Sequence, residues 1–202
     1  MSQSHATQPL TLSDLLSLED YAEQRAQLRA EAIAHKRRRK VPVGPHMTLL
    51  FEDRITLRYQ IHEILRVERV FEKAGKLEEL AAYNPLIPDG SNWKATCLIE
   101  YSDVEQRKRE LARLGGIEHR IWVQVAGFEP VVAIADEDLE RTDEGGKTSA
   151  VHFLRFELSA EMRMALKQGA ALSAGCTHPN YTHTVAVSDD TRQALMADLD
   201  YV

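Results

Sequence analysis

Tyr83-Asn-Pro-Leu-Ile-Pro-Asp-Gly-Ser-Asn-Trp93 divides this 202-residue chain into two textures. Before it, apolar residues recur at helical spacing; after it, they alternate as in strands. Pro85 and Pro88 fix the backbone and remove donors, and Asp89-Gly90 is turn chemistry. The stretch therefore reads as a polar loop joining a helical part to a sheet. Loops carry function more often than the elements they join.

On the N-terminal side, Thr11 or Ser13 is placed to cap a helix, with Asp14 near the positive end of its dipole. Leu12, Leu15, Leu16, Leu18, Tyr21, Arg25, Leu28 and Ala32 then recur every three or four residues. This predicts an amphipathic helix to about Arg37. It ends in His35-Lys-Arg-Arg-Arg-Lys40, a basic run that suits a helix C-terminus better than it argues for a phosphate site. Val41 to His46 reads as an extended connector and Met47 to Phe51 as a short strand. Asp53 reads as the cap of a second helix, Arg54 to about Lys73, with a stripe of Leu57, Ile61, Ile64, Leu65 and Phe71. Ile55, Leu57, Tyr59 and Ile61 also alternate as in a strand, but the helical pattern continues beyond them. A short helix is expected over Leu77 to Ala82.

Beyond the loop, Ala95 to Tyr101 is strand-like, and a helix over Val104 to Leu114 is stopped by Gly115-Gly116. Strands are expected over Ile117 to Ala126 and Val131 to Ala135, paired as a hairpin. Asp136 to Lys147 is an acidic, glycine-containing loop. Ala150 to Leu158 is a strand with His152, Leu154, Phe156 and Leu158 on one face. Ser159 caps a helix to about Gln168; Thr184 to Val187 is a strand; Asp189 or Asp190 caps a last helix to near Leu199. This order predicts an α+β fold, a helical N-terminal part packed on a mainly antiparallel sheet with interspersed helices. Residues 1–9 read as a disordered tail, and 10–202 as a single α+β domain with an N-terminal helical arm over about 10–82.

Lys and Arg number 25 against 31 Asp and Glu, a net charge of −6, which argues against general nucleic-acid binding. The two cysteines form no secreted disulfide framework. The N-terminus shows neither a basic start nor an apolar run, so no signal peptide is expected. No apolar stretch approaches the roughly 20 residues of a membrane span, and a cytoplasmic location is expected. Dinucleotide, phosphate-loop, hydrolase-elbow and CxxC signatures are missing, so no nucleotide cofactor is expected.

Two groups of residues are candidates for chemistry. Cys176-Thr-His178-Pro-Asn-Tyr181-Thr-His183 resembles a metal loop, because imidazole and thiolate suit iron or zinc. His178 and His183 would need further ligands, for which His152 and His119 are the candidates. Cys97, in an apolar strand, reads as an inert core thiol, whereas Cys176 beside histidine has the setting of a reactive thiolate. The second group is Arg58, Gln60, Glu63, Asn84, Asp89, Asn92 and Arg155 around the polar loop. There arginine would hold a carboxylate or phosphate bidentately, and a carboxylate would act as general base. His62-Glu63-Ile-Leu-Arg66 is not a zinc-protease helix, since Arg66 stands where the second histidine belongs.

Val43-Gly-Pro-His46, Arg58-Tyr-Gln-Ile61, Tyr83 to Gly90, Asn92-Trp-Lys-Ala-Thr96, Gly116-Ile-Glu-His119, Ala133 to Asp138 and His152-Phe-Leu-Arg-Phe-Glu157 together resemble the bacterial domain-of-unknown-function family 3501. The resemblance covers about Leu10 to Leu199. It implies a genomic context of rubrerythrin-like proteins and iron–sulfur oxidoreductases, hence a role in iron or peroxide metabolism and a partner of that kind. Cys176 is outside the family-like positions. Three readings follow, in order: a metal-binding or redox-accessory protein; an interaction module docking on an oxidoreductase or, as a homo-oligomer, on itself; and a small-molecule-binding domain or non-metal enzyme at the polar loop.

Overall fold

Ser17 decides where the first long helix begins: its hydroxyl accepts the Asp20 amide, and α1 runs Leu18–Arg37. The computed structural model describes residues 7–135 and 148–201. The expected start at Thr11 or Ser13 is corrected, because Thr11 caps only a 3-10 turn, Leu12–Asp14, and Leu15 is extended. β1 (Lys40–Pro42) and β2 (Met47–Phe51) then pair antiparallel. Asp53 caps α2 (Arg54–Glu68) by accepting the Ile55 and Thr56 amides. The helix stops before the expected Lys73 because Arg69 turns left-handed at φ 55°. Phe71 accordingly leaves the stripe and stands 60% exposed. α3 (Lys73–Tyr83) is longer than expected, and a 3-10 turn, Asn84–Leu86, occupies part of the polar stretch. β3 (Asn92–Ile99) begins inside that stretch.

The elements α4 (Val104–Arg113), β4 (Ile121–Val125), β5 (Val131–Val132), β6 (Ile134–Ala135), β7 (Val151–Glu157), α5 (Ala160–Lys167), β8 (Leu172–His178), β9 (Tyr181–Ala186) and α6 (Asp189–Met196) follow. They complete two antiparallel sheets, ordered β1-β2-β3-β7-β6 and β5-β4-β8-β9. The fold is α+β, as the order of elements predicts. Three local readings are corrected. Ile117–Arg120 is a 3-10 turn before β4, not strand. The expected strand over Val131 to Ala135 divides at Ala133, so that β5 pairs with β4 and β6 with β7 across the two sheets. Cys176 to His183 is no loop but the β8–β9 hairpin, with His178 opposite Tyr181. The readings over residues 1–6 and the acidic loop over 136–147 lie outside the described residues.

The larger core lies between the sheets. Trp93, Ala95, Cys97 and Ile99 alternate inward along β3, with Leu154 and Phe156 of β7 in the same core. Ile121, Val123, Val125, Ala174 and Cys176 supply the second sheet's side. The Trp93 indole N–H donates to the Leu195 carbonyl at 2.9 Å, tying α6 to this core. A second core joins α2 to α3 and the N-terminal segment through Leu57, Ile61, Leu65, Leu80, Leu10 and Ile87. Each such side chain contributes roughly 1.5–3 kcal/mol on burial. Among the described residues, no helix is long and apolar enough to cross a membrane.

Candidate functional site

α1 and α2 pack antiparallel, and the polar groups between them fall into two parts. The first is a closed clamp. The Tyr21 hydroxyl donates to Glu63 Oε1 at 2.7 Å, and Arg25 gives Nε and Nη2 to the two carboxylate oxygens at 2.8 and 2.9 Å. Arg66 adds a bond at 3.2 Å. The Arg25 hydrogen bonds above all pull the Glu63 carboxyl down to about 2. Tyr21 also stacks on His62, with ring centroids 4.6 Å apart and planes 11° off parallel. The His62 ring donates from Nδ1 to the Arg58 carbonyl at 2.8 Å and accepts the Leu16 amide at Nε2, 3.0 Å. These two partners fix one neutral tautomer. Burial, the largest effect, holds the ring below its usual range.

The second part is open. A cleft of about 200 Å³ lies beside the clamp, walled by Tyr21, His62, Leu16, Leu28 and Ile55. Arg58 lines it, half-buried. Its guanidinium has no hydrogen bond or ion pair among the described residues. Among the described residues Glu31 is the one carboxylate lining the cleft, and Lys36 sits 5.6 Å over the ring of Tyr59, which lines it too. A partly desolvated cation without an acceptor costs free energy. Its planar fork suits a carboxylate or phosphate bidentately.

Most of the other polar-loop residues are spent on structure. Asn84 exchanges two bonds with the Leu10 backbone, at 2.8 and 2.9 Å. Asp89 accepts from the amide and hydroxyl of Ser91 and from Asn92 Nδ2. Asn92 is fully buried and also reaches Glu157 at 3.2 Å. Arg155 pairs with Glu157 at 2.9 Å on the surface. Gln60 is exposed, and Glu63 belongs to the clamp. Of the seven expected ligand residues, Arg58 alone is both placed in a cleft and unpaired among the described residues.

The histidines are likewise apportioned. His178 is buried; its Nε2 lies 3.2 Å from the Gly115 carbonyl, and its Nδ1 accepts the Asn180 amide at 3.2 Å. His183 packs edge-on against Tyr181 and covers Gly44, where any Cβ would overlap its ring. His152 is buried with Nε2 2.9 Å from the Ser149 carbonyl, and His119 stands 3.8 Å from Glu118 with its ring exposed. Among the described residues, no three His, Cys, Asp or Glu side chains are grouped to hold a metal ion. These four histidines therefore do not assemble the expected ligand set. Both cysteines are buried free thiols. Burial, with Cys176 nearby, pushes Cys97 up to about 12, and burial raises Cys176 too, so the expected reactive thiolate is corrected to a core thiol.

The α1 wall of the cleft is not visible in the sequence motifs. Tyr21 and Arg25 stand four residues apart and so share a helix face, but nothing local links them to Glu63, 42 and 38 residues away.

Fold and site define a two-sheet α+β protein that carries an arginine-bearing cleft on its helical part. The chain belongs to the family described as Protein of unknown function (DUF3501), which matches residues 9–199, as the motifs imply. It is similar to a crystal structure of a novel protein of unknown function from Burkholderia pseudomallei K96243, at 54% identity and TM-score 0.90, covering 96% of this chain and 100% of that one. No curated protein matches the chain.

Proposed function

We propose that this protein is a small-molecule-binding protein that holds an anionic ligand in the α1–α2 cleft through Arg58. One observation carries the reading: a half-buried guanidinium lines a cleft and has no acceptor among the described residues. The neighbouring clamp favours binding, because Tyr21 and His62 are already held by Glu63, Arg58 and Leu16 before any ligand arrives. Rigid walls lower the entropic cost of binding. The iron- or zinc-based redox-accessory reading would require His178 to release two backbone hydrogen bonds, each worth about 1 kcal/mol. The cleft requires no such rearrangement and is preferred for that reason.

Isothermal titration calorimetry with a panel of small carboxylates and phosphates tests the reading. At least one should bind saturably to the wild type and about tenfold or more weaker to Arg58→Gln, a loss of about 1.4 kcal/mol. A panel that binds neither protein, or both equally, would overturn it.

A further inference from the structure

We infer that the ligand is a monocarboxylate bearing one ring or a short apolar chain; this inference rests on the proposed role of the cleft. Charge, size and wall chemistry each narrow the class.

The charges facing the cleft are few. Among the described lining residues Arg58 is the one cation and Glu31 the one carboxylate, and Glu31 already accepts from Gln27. The Glu63 charge is already taken up by Arg25 and Arg66. His62 carries none, because one ring nitrogen donates to the Arg58 carbonyl and the other accepts the Leu16 amide. Arg58 is thus the one described lining cation in place to meet a ligand's charge. A monoanion balances it. A dianion would place its second charge in a partly desolvated space beside Glu31, which is unfavourable.

The volume sets the size. The cleft measures about 200 Å³. An apolar cavity of about 150 Å³ accepts benzene. That is room for one ring plus a carboxylate.

The walls set the body of the ligand. The partly exposed Tyr59 ring offers aromatic surface, with Leu16, Leu28 and Ile55 around it. A ring or short alkyl chain would gain from leaving water against these groups. Inorganic phosphate would gain nothing there.

Benzoate, benzamide, succinate and inorganic phosphate are the probes, titrated into wild type, Arg58→Gln, Arg58→Lys and Leu28→Trp, each checked for folding by circular dichroism. Benzoate should bind about tenfold or more tighter than the other three, since benzamide lacks the charge and phosphate and succinate lack the fit. Arg58→Gln should lose about tenfold or more, and Arg58→Lys should fall between it and wild type because it keeps the charge without the fork. Leu28→Trp should fill the cleft and abolish binding. Tighter, Arg58-dependent binding of phosphate or succinate would overturn the monocarboxylate class and leave the cleft's binding role standing. Benzoate binding that survives both Arg58→Gln and Leu28→Trp, or no Arg58-dependent binding of any anion, would overturn both.

Discussion

Arg39 and Arg58 are both arginines drawn into the protein, and they are satisfied in opposite ways. Arg39 is 1% exposed. Its Nε donates to the Phe51 carbonyl at 2.9 Å, Nη1 to Ala194 at 3.2 Å and Nη2 to Glu52 at 3.2 Å. Its remaining directions face Asp53, at 3.3 Å, and Asp198. Five oxygens thus surround five N–H donors and join the end of α1 to β2 and α6. Arg58 has no such shell among the described residues and lines an open cleft. A fully coordinated buried cation is a structural joint. An incompletely coordinated one beside empty volume is where a ligand's acceptor belongs.

The largest effect that can break this comparison is expected at the joint. Arg39→Ala should cost about 3–5 kcal/mol in urea unfolding, because Asp198 and Asp53 lose their shared cation. Burial already pushes the Asp198 carboxyl up to about 6 even with Arg39 beside it. A loss below about 1 kcal/mol would mean that the five contacts are no joint, and the contrast with Arg58 would collapse.

Glu63 sharpens the boundary between joint and cleft, since its clamp touches both helices. Its carboxyl lies at about 2 rather than the ordinary 4.5, chiefly through Arg25. A depressed folded value contributes stability that is present above the unfolded value and is lost as the pH falls from about 4.5 towards 2. Glu63→Gln should therefore cost about 1–2 kcal/mol at neutral pH, allowing for partial exposure, and the difference from wild type should shrink across that window. A deficit that stays constant on acidification would show that the clamp is not ionic.

How much of this was legible depended on whether the signal was local. Asp53 as a cap, β2, the inward face of β7 and the Ser159 cap of α5 could all be read, because capping and alternation act within a few residues. The end of α2 could not, since Arg69 adopts a left-handed conformation that usually advertises itself as glycine. Nor could the passage of the chain from one sheet to the other at Ala133, which is decided by tertiary pairing. The histidine segment misled for a physical reason. Pro179-Asn180 is turn chemistry whether it serves a metal loop or a two-residue hairpin, and only the pairing of His178 with Tyr181 distinguishes them. For the site, Arg58 and Glu63 were both visible as polar residues on one helix. Which of them was spent depended on Tyr21 and Arg25, supplied from a distant helix. Arg39 was hidden in plain view, one of five basic residues in a row over 36–40, singled out only by where the helix end points it.

Arg58→Gln carries the smallest expected change in stability and the sharpest contrast with Arg39. No protein acceptor among the described residues is orphaned when the guanidinium goes, and a partly desolvated charge is removed, so unfolding free energy should stay within about 0.5 kcal/mol of wild type. The asymmetry appears only when a ligand is present. Any compound that binds the folded state alone stabilises it, by about 2.7 kcal/mol at a hundred times its Kd. With benzoate at such an excess, wild type should gain several degrees in Tm, while Arg58→Gln should gain little at the same concentration. An unliganded variant that lost as much as Arg39→Ala would place Arg58 in the framework after all. A variant that is stable yet unresponsive to benzoate, beside a wild type that responds, separates an arginine that builds the protein from one that waits for something to bind.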